Sequence, residues 1–170
     1  SVECIVIGAG VIGLAVARGL AKSGREVLVI ESADDIGKGI SGRSSEVIHA
    51  GLYYPKNSLK AELCTRGRRF LYDYLKEKGI PHKTVGKLVV AVTDDEVKTL
   101  HDLHAHAVGN VAIKLEGMSA ERARVLEPKL QCAAALLSPA TGIFDSHAYL
   151  AALRTDAEDA GATFAFQTPF

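Results

Sequence analysis

The sequence contains no tryptophan and only five phenylalanines and five tyrosines, so few aromatic rings are available to stack on nucleic-acid bases. Lysine plus arginine and aspartate plus glutamate are balanced at 20 residues each, and the basic residues form no block. Neither a nucleic acid nor an anionic membrane surface is therefore expected as a partner. The expected partner is a small molecule.

The three cysteines, Cys4, Cys64 and Cys132, lie far apart and form no Cys-X-X-Cys pair. Their odd number and their spacing argue against a disulfide framework and against a cysteine-built metal site. No stretch reaches the roughly 18 apolar residues that a transmembrane segment needs, and no charged leader precedes the first predicted strand. We therefore expect a cytoplasmic protein, either free or peripheral to a membrane.

The first 31 residues have the pattern of a strand, a helix and a second strand. Residues 3–7 and 26–30 are short apolar runs with β-branched side chains, which is typical of strands buried on both faces. Between them, apolar residues recur at three- and four-residue spacing, and Gly24 ends the predicted helix. The stripe consists of Val11, Leu14, Ala17, Leu20 and Ala21. This order predicts a parallel crossover.

The remaining sequence predicts a second, α+β region and a return to the first domain. Strands are predicted at residues 87–92 and 133–137, and helices at residues 59–78, 94–106, 119–127 and 145–160. The last helix begins with Asp145-Ser146, a good N-terminal cap, and we expect it to pack in the first domain. Residues 161–170 have the pattern of a turn entering a strand, so we expect the chain to be truncated.

Gly8, Gly10 and Gly13 form a Gly-X-Gly-X-X-Gly motif between the first strand and the first helix. The three glycines serve a tight turn, close approach to a pyrophosphate and helix packing against the strand. The helix N-terminus at Val11 and Ile12 then presents free N–H groups to the phosphates. Glu31, with Ser32 beside it, follows about twenty residues later, where a carboxylate accepts hydrogen bonds from ribose hydroxyls and repels a 2′-phosphate. The motif predicts a dinucleotide site that disfavours NADP and leaves NAD and FAD open.

The loop after the second strand favours FAD over NAD, because NAD-dependent dehydrogenases usually begin another crossover there. The hydroxyl groups of Ser41, Ser44 and Ser45 and the guanidinium of Arg43 are donors suited to phosphate and ribityl oxygens. The segment resembles the loop and helix of the D-amino-acid-oxidase-like flavoenzymes, in which it passes along the pyrophosphate towards the flavin.

Within this superfamily, the chain is similar to the L-2-hydroxyglutarate dehydrogenase/oxidase family. The similarity begins in the run Ser45-Glu-Val-Ile-His49-Ala-Gly51-Leu-Tyr53-Tyr54-Pro55 and continues along almost the whole chain. The further matching motifs are residues 58–61, 63–64, 86–88, 126–128, 138–139, 141–143 and 145–146. Two positions depart from the family pattern, which often has asparagine at Ser44 and a small polar residue at Gly42.

The resemblance implies an α/β fold with a Rossmann-like FAD-binding domain of the glutathione-reductase, D-amino-acid-oxidase-like type. This domain would comprise residues 1–80 and 143–170, interrupted at 81–142 by the start of an α+β substrate domain. The implied enzyme removes a hydride from C2 of L-2-hydroxyglutarate or a similar 2-hydroxy acid, reduces FAD and yields the 2-oxo acid. Electrons would then pass to a quinone, oxygen or another acceptor. The alternatives are a glycerol-3-phosphate dehydrogenase, an amino-acid oxidase, or a dinucleotide-binding module without turnover.

The resemblance also indicates site residues. His49 is the predicted base for the hydroxyl proton, because it closely follows the flavin-facing loop and imidazole accepts protons near neutral pH. The alternative for His49 is packing beneath the isoalloxazine without chemistry. Tyr53 and Tyr54 either hydrogen-bond the substrate or fill the junction between domains.

Other polar residues have plainer expected roles. His101 and His104 share a helix face while His106 points elsewhere, which predicts a solvated face and no metal site. Lys60 and residues 66–69 are expected to be solvated helix charges, with Lys60 the best candidate for an exception. Cys64 is expected to be a small buried residue and not a redox thiol.

Overall fold

The computed structural model describes residues 2–110 and 115–170. In chain order its elements are β1 (Cys4–Ile7), α1 (Val11–Lys22), β2 (Val27–Ile30), a 3-10 turn (Ile40–Arg43), β3 (Val47–Ile48), α2 (Leu59–Glu77), β4 (His82–Thr84), β5 (Lys87–Ala91), α3 (Asp94–Asn110), β6 (Glu116–Ser119), α4 (Ala120–Leu126), β7 (Ala134–Ser138), β8 (Gly142–Phe144), α5 (Ser146–Asp159) and β9 (Thr163–Ala165). They form two compact units. The first consists of Ser1–Glu46, Lys78–Pro81 and Asp145–Phe170, and the second of Val47–Glu77 and His82–Phe144.

The first unit contains a parallel sheet of order β1-β2-β9. Val6 of β1 lies opposite Val29 of β2, and Val29 lies opposite Phe164 of β9. Val29 is completely buried, as expected for a β-branched residue in the middle strand of a sheet that is covered on that face. The parallel crossover predicted from the first 31 residues is therefore present, and the turn after Gly161 does enter a strand.

Helix α1 buries the apolar stripe that its spacing predicts. Leu14 and Ala17 are fully buried, and the stripe packs against α5, which buries Leu150, Leu153 and Ala157 in return. Small residues on α1 allow this helix pair to approach closely. The prediction that the last helix returns to the first unit is confirmed.

A buried ion cluster also ties α5 to the rest of the first unit. The side chain of Asp156 is only 7% exposed, and its carboxylate binds Arg18 Nε at 2.7 Å and lies 3.8 Å from Lys22 Nζ. Lys78 Nζ binds the other carboxylate oxygen. A carboxylate of this depth stays ionised only when cations and hydrogen bonds replace its water. Asp156 therefore joins α1, α5 and the segment after α2.

The second unit contains two antiparallel sheets, of order β3-β8-β4 and β5-β7-β6. Helix α3 packs on β5 and β7. This packing buries Leu100 of the helix against Leu136 of β7 and Ala91 of β5, in one apolar cluster with Ala50 and Leu52. The second unit is therefore α+β, as its sequence pattern predicts.

The structure also contains four short strands that the sequence pattern did not indicate: β3, β4, β6 and β8. Strands β3 and β4 both pair with β8. Residues 47–77 fall in the same unit as these strands, whereas the resemblance implied that they belong to the FAD-binding domain. The functional division of the chain stays a prediction. In the described part of the chain, no helix is both long enough and apolar enough to cross a membrane.

Candidate dinucleotide site and the His49–Tyr54 segment

The turn between β1 and α1 has a backbone conformation that requires glycine at Gly8 and Gly13. Gly8 has a φ of +95°, and its N–H donates to Ile30 O at 2.8 Å. A Cβ at Gly13 would lie 1.9 Å from Gly8 O, so the helix passes directly over the turn. The first turn of α1 carries no acidic residue, which leaves its N-terminus positive. This arrangement suits an anion at the N-terminus of α1.

We expect Gly13→Ala to abolish tight dinucleotide binding and to cost about 1–3 kcal/mol of stability, because the new methyl group overpacks against backbone that cannot move aside. Gly19→Ala in the same helix is the matched control, since a Cβ there meets nothing within 4 Å. It should stabilise the helix by roughly 0.5–1 kcal/mol. Urea unfolding and FAD titration measure both effects. Equal behaviour of the two variants would contradict the packing argument.

Glu31 joins the end of β2 to the glycine turn. Its carboxylate accepts hydrogen bonds from Ala9 N–H at 2.7 Å, Ala33 N–H at 2.9 Å and the Ser32 hydroxyl at 3.1 Å. The bonds from Ala33 and Ala9 hold the pKa of Glu31 below its ordinary value of 4.5. Oε2 accepts only one of these bonds, so it retains a lone pair for a ribose hydroxyl. The carboxylate is therefore ionised at neutral pH and still able to bind a ligand.

The loop after β2 folds back over the glycine turn. Gly37 N–H donates to Ala9 O at 3.0 Å, and Val11 N–H donates to Ser41 Oγ at 3.0 Å. Ser41 thus caps the N-terminus of α1, which Gly10 cannot do for lack of a side chain. A Cβ at Gly42 would lie 2.3 Å from Gly37 O. This loop conformation therefore leaves no room for a side chain at position 42.

The other donors of the loop lie on the surface. Arg43, Ser44 and Ser45 are exposed, and Ser44 Oγ accepts a hydrogen bond from Glu46 N–H at 3.1 Å. Val11 is half-buried, whereas Ile12 is 74% exposed at the start of α1. The structure brings the predicted residues from Gly8 to Ser45 together in the first unit. Their role in cofactor binding stays a prediction.

Glu46 is a site residue that sequence reasoning missed. It has a left-handed backbone, with φ of +59°, and its carboxylate accepts hydrogen bonds from Ser146 N–H at 2.9 Å and the Ser146 hydroxyl at 2.8 Å. These bonds lower the pKa of Glu46. The carboxylate therefore adds a second acceptor at the N-terminus of α5, beside Asp145, whose side chain accepts a hydrogen bond from Ala148 N–H at 2.9 Å. No local sequence signal points to Glu46, because Ser146 lies 100 residues away.

The His49–Tyr54 segment lies in the second unit, directly after β3. The imidazole of His49 is exposed, and its backbone carbonyl accepts a hydrogen bond from Cys64 Sγ at 3.5 Å. Tyr53 is 54% exposed beneath Lys87, while Tyr54 is half-buried beneath Lys60. Burial raises the pKa of the Tyr54 phenol. Tyr54 is thus held more firmly than Tyr53, but the substrate role predicted for either stays a prediction.

Two expectations for charged and polar helix residues need correction. The Arg68 side chain is half-buried, and its Nη1 atom is buried without a hydrogen-bond partner in residues 2–110 and 115–170, so Arg68 is only partly solvated. His106 Nε2 donates to Tyr54 O at 3.0 Å, and His104 Nε2 lies 3.4 Å from Leu115 O. Tertiary contacts therefore hold His104, on the face that was expected to be solvated, and His106, which points elsewhere on the helix. Cys64 is half-buried and burial raises the pKa of its thiol, as expected for an inert cysteine.

Two mitochondrial dehydrogenases are similar to this chain along most of its length. The mitochondrial L-2-hydroxyglutarate dehydrogenase of Arabidopsis thaliana is 50% identical over 156 residues, which cover 89% of this chain and 32% of that protein. The mitochondrial enzyme of the same name from Homo sapiens is 35% identical over 163 residues, covering 95% of this chain and 35% of that protein. The chain thus spans about a third of the length of these relatives. Their names say mitochondrial, so they lend no support to the predicted cytoplasmic location.

Solved structures with the same fold act on different substrates according to their names. The L-proline dehydrogenase of P. horikoshii matches with a TM-score of 0.86 and 27% identity, covering 98% of this chain and 44% of that one. The L-alpha-glycerophosphate oxidase of Mycoplasma pneumoniae, solved with FAD bound, matches with a TM-score of 0.89 and 23% identity over 96% of this chain and 44% of that one. A family model described as FAD dependent oxidoreductase (DAO) matches residues 3–170. The chain therefore belongs to the DAO family of FAD-dependent oxidoreductases.

Proposed function

We propose that the protein carrying this chain oxidises the C2 hydroxyl of L-2-hydroxyglutarate, or a similar 2-hydroxy acid, to the 2-oxo acid with FAD as cofactor. The main support for this substrate is the 50% identity, over 89% of the chain, to a relative named for L-2-hydroxyglutarate. The fold alone does not select this substrate, because structures named for proline and glycerophosphate share it.

The residues of the first unit fit FAD. The pyrophosphate would bind at Gly8, Gly10 and Gly13 and at the N-terminus of α1, where side chains are excluded and the dipole is positive. The ionised carboxylate of Glu31 would accept hydrogen bonds from the ribose. The further predicted contacts are Val11, Ile12, Ser32, Ser41, Arg43, Ser44 and Ser45.

The Ser41 hydroxyl fits this proposal in a specific way. Its oxygen accepts the hydrogen bond of Val11 N–H, one of the unsatisfied donors of α1. Its own proton remains available to donate to a phosphate oxygen, since a hydroxyl can accept and donate at once. Ser41 would therefore extend the anion-binding N-terminus by one more donor.

Oxidation of a C2 hydroxyl removes two electrons and two protons from the substrate. FAD, when bound, supplies the acceptor for the hydride from C2. His49 would accept the proton of the hydroxyl group, for which its exposed imidazole is suited. Tyr53 or Tyr54 would donate a hydrogen bond to the substrate. The final electron acceptor would be a quinone, oxygen or another carrier.

The test is the visible absorption spectrum of the purified full-length protein before and after anaerobic addition of L-2-hydroxyglutarate. We expect a flavin spectrum that this compound bleaches, while glycerol 3-phosphate and amino acids do not. Bleaching by glycerol 3-phosphate or an amino acid in its place would assign a sister activity. A flavin that no substrate bleaches would indicate a dinucleotide-binding module, and a colourless protein that FAD cannot reconstitute would refute the proposal.

A further inference from the structure

Three residues of α2, Lys60, Cys64 and Arg68, lie at four-residue spacing and therefore on one face of the helix. This face meets the His49–Tyr54 segment within the second unit. Lys60 Nζ lies 4.7 Å from the centroid of the Tyr54 ring, and Cys64 Sγ donates to His49 O at 3.5 Å. The helix face thus lies beside the segment to which the proposed function assigns the substrate.

The cations of this face lack carboxylate partners. Lys60 and Arg68 form no ion pair with any described residue, and neither does Lys87, whose Nζ lies 4.6 Å from the Tyr53 ring centroid. The contrast within the same helix is Arg66, which is exposed and pairs with Glu62 at 3.4 Å. Lys60 lies one turn before Cys64 and Arg68 one turn after it on this face. Burial raises the pKa of the Cys64 thiol, and the charges of Arg68 and Lys60 oppose that rise. The result is a cluster of positive charge, Lys60 and Arg68, on the helix face that contacts the His49–Tyr54 segment.

Arg68 is the most unusual member of the cluster. Its Nη1 atom is buried and donates to none of the described residues. The Arg68 side chain is half-buried, and a guanidinium nitrogen that is buried without an acceptor loses its hydration and gains no hydrogen bond in return, so it favours a ligand that supplies the acceptor. The planar donors of arginine match a carboxylate in two parallel hydrogen bonds. The expected ligand is therefore a carboxylate.

We propose, resting on the proposed function, that Lys60 and Arg68 bind the substrate carboxylate that is remote from the reacting carbon. Helix α2 would thereby select a dicarboxylic 2-hydroxy acid over a monocarboxylic one. A site built to pair a carboxylate rejects an analogue that lacks it, because the buried donors are then left unpaired. The second unit would thereby determine the choice of substrate, whereas the glycine turn of the first unit would bind the cofactor.

The test compares kcat/KM for L-2-hydroxyglutarate and for the monocarboxylic L-2-hydroxybutanoate in the full-length holoenzyme. Arg68→Gln should lower kcat/KM for the dicarboxylate by about 10- to 100-fold, the effect of losing one charged hydrogen-bond pair, and leave the monocarboxylate value unchanged. Lys60→Gln should act in the same direction, and Arg68→Lys should recover part of the loss. Arg69→Gln, at an exposed position of the same helix, should change neither value.

Two further measurements separate binding from folding. Calorimetric titration with glutarate, which lacks the reacting hydroxyl group, should show weaker binding to Arg68→Gln than to the wild type. Arg68→Met should leave the thermal midpoint unchanged or raise it, because it removes a half-buried arginine whose buried Nη1 atom has no partner among the described residues. A lowered midpoint would indicate a structural role and overturn the proposal.

The outcomes distinguish this site from the reaction itself. If the wild type is reduced by L-2-hydroxyglutarate but Arg68→Gln slows both substrates equally, the carboxylate site is refuted and the proposed function stands. If the wild type binds glutarate through Arg68 but is not reduced, the site stands and the proposed reaction is refuted. A wild type that is neither reduced nor binds glutarate refutes both.

Discussion

Replacing His49 with asparagine is expected to slow the reduction of bound FAD by L-2-hydroxyglutarate by about 100- to 10,000-fold, the usual contribution of a positioned general base. The imidazole is exposed, and its ring forms no hydrogen bond with any described residue, so it is available to a substrate. Asparagine has a polar side chain of similar reach but cannot accept the proton. Stopped-flow absorbance under anaerobic conditions measures the rate of flavin reduction.

The matched control for this variant is His101→Asn, which changes an exposed histidine of α3. It should leave the reduction rate and the FAD content unchanged. The competing role for His49 is packing beneath the isoalloxazine. A His49→Asn variant that loses FAD, or that keeps the wild-type reduction rate, would support packing and contradict proton transfer.

Replacing Asp156 with alanine is expected to lower the free energy of unfolding by about 3 kcal/mol, at the lower end of the range for breaking a buried ion pair. The Asp156 side chain is 7% exposed and binds Arg18 and Lys78, whose side chains are 26% and 30% exposed. These cations can recover part of their hydration, which is why the lower end applies. The change would still remove a large share of the roughly 5–15 kcal/mol that stabilise an ordinary domain.

Urea unfolding followed by far-UV circular dichroism tests this expectation in the full-length holoprotein. Asp159→Ala is the control, because Asp159 is an exposed acid at the last position of the same helix. It should change the unfolding midpoint little. If Asp156→Ala lowers the free energy of unfolding by less than about 1 kcal/mol, as expected for an exposed ion pair, the ion pairs of Asp156 are screened by solvent.

The elements of the first unit were the easiest to predict from the sequence. The strand, helix and strand were predictable because each has a local period, and the buried residues Leu14, Ala17 and Ala21 follow the period of α1. The strands β3, β4, β6 and β8 were not predictable, since β4 and β6 are mostly polar and β3 and β8 have only two and three residues. These four strands are defined by their partner and carry no period of their own. By contrast, β1 and β2 are uninterrupted apolar runs.

The candidate site shows the same division. The glycine motif and the acid that follows it were recognisable by spacing alone, because the turn, the helix length and the second strand impose that spacing on the chain. The hydrogen bond from Val11 N–H to the Ser41 hydroxyl at the N-terminus of α1 was not recognisable in the sequence, since the two residues lie 30 positions apart. Likewise, nothing local distinguishes Arg68 from the exposed Arg66 and Arg69 on the same helix.

The sequence by itself thus determined the dinucleotide-binding crossover and the family, which depend on short-range patterns and on motifs spread along the chain. Only the tertiary structure decided that Glu31 binds Ala9, 22 residues away, and that Glu46 caps the helix of Ser146, 100 residues away. It also decided that Arg68 Nη1 is buried with no partner among the described residues. The physical reason is that hydrogen bonding and burial depend on which distant segments fold together, and residue spacing along the chain does not encode that distance.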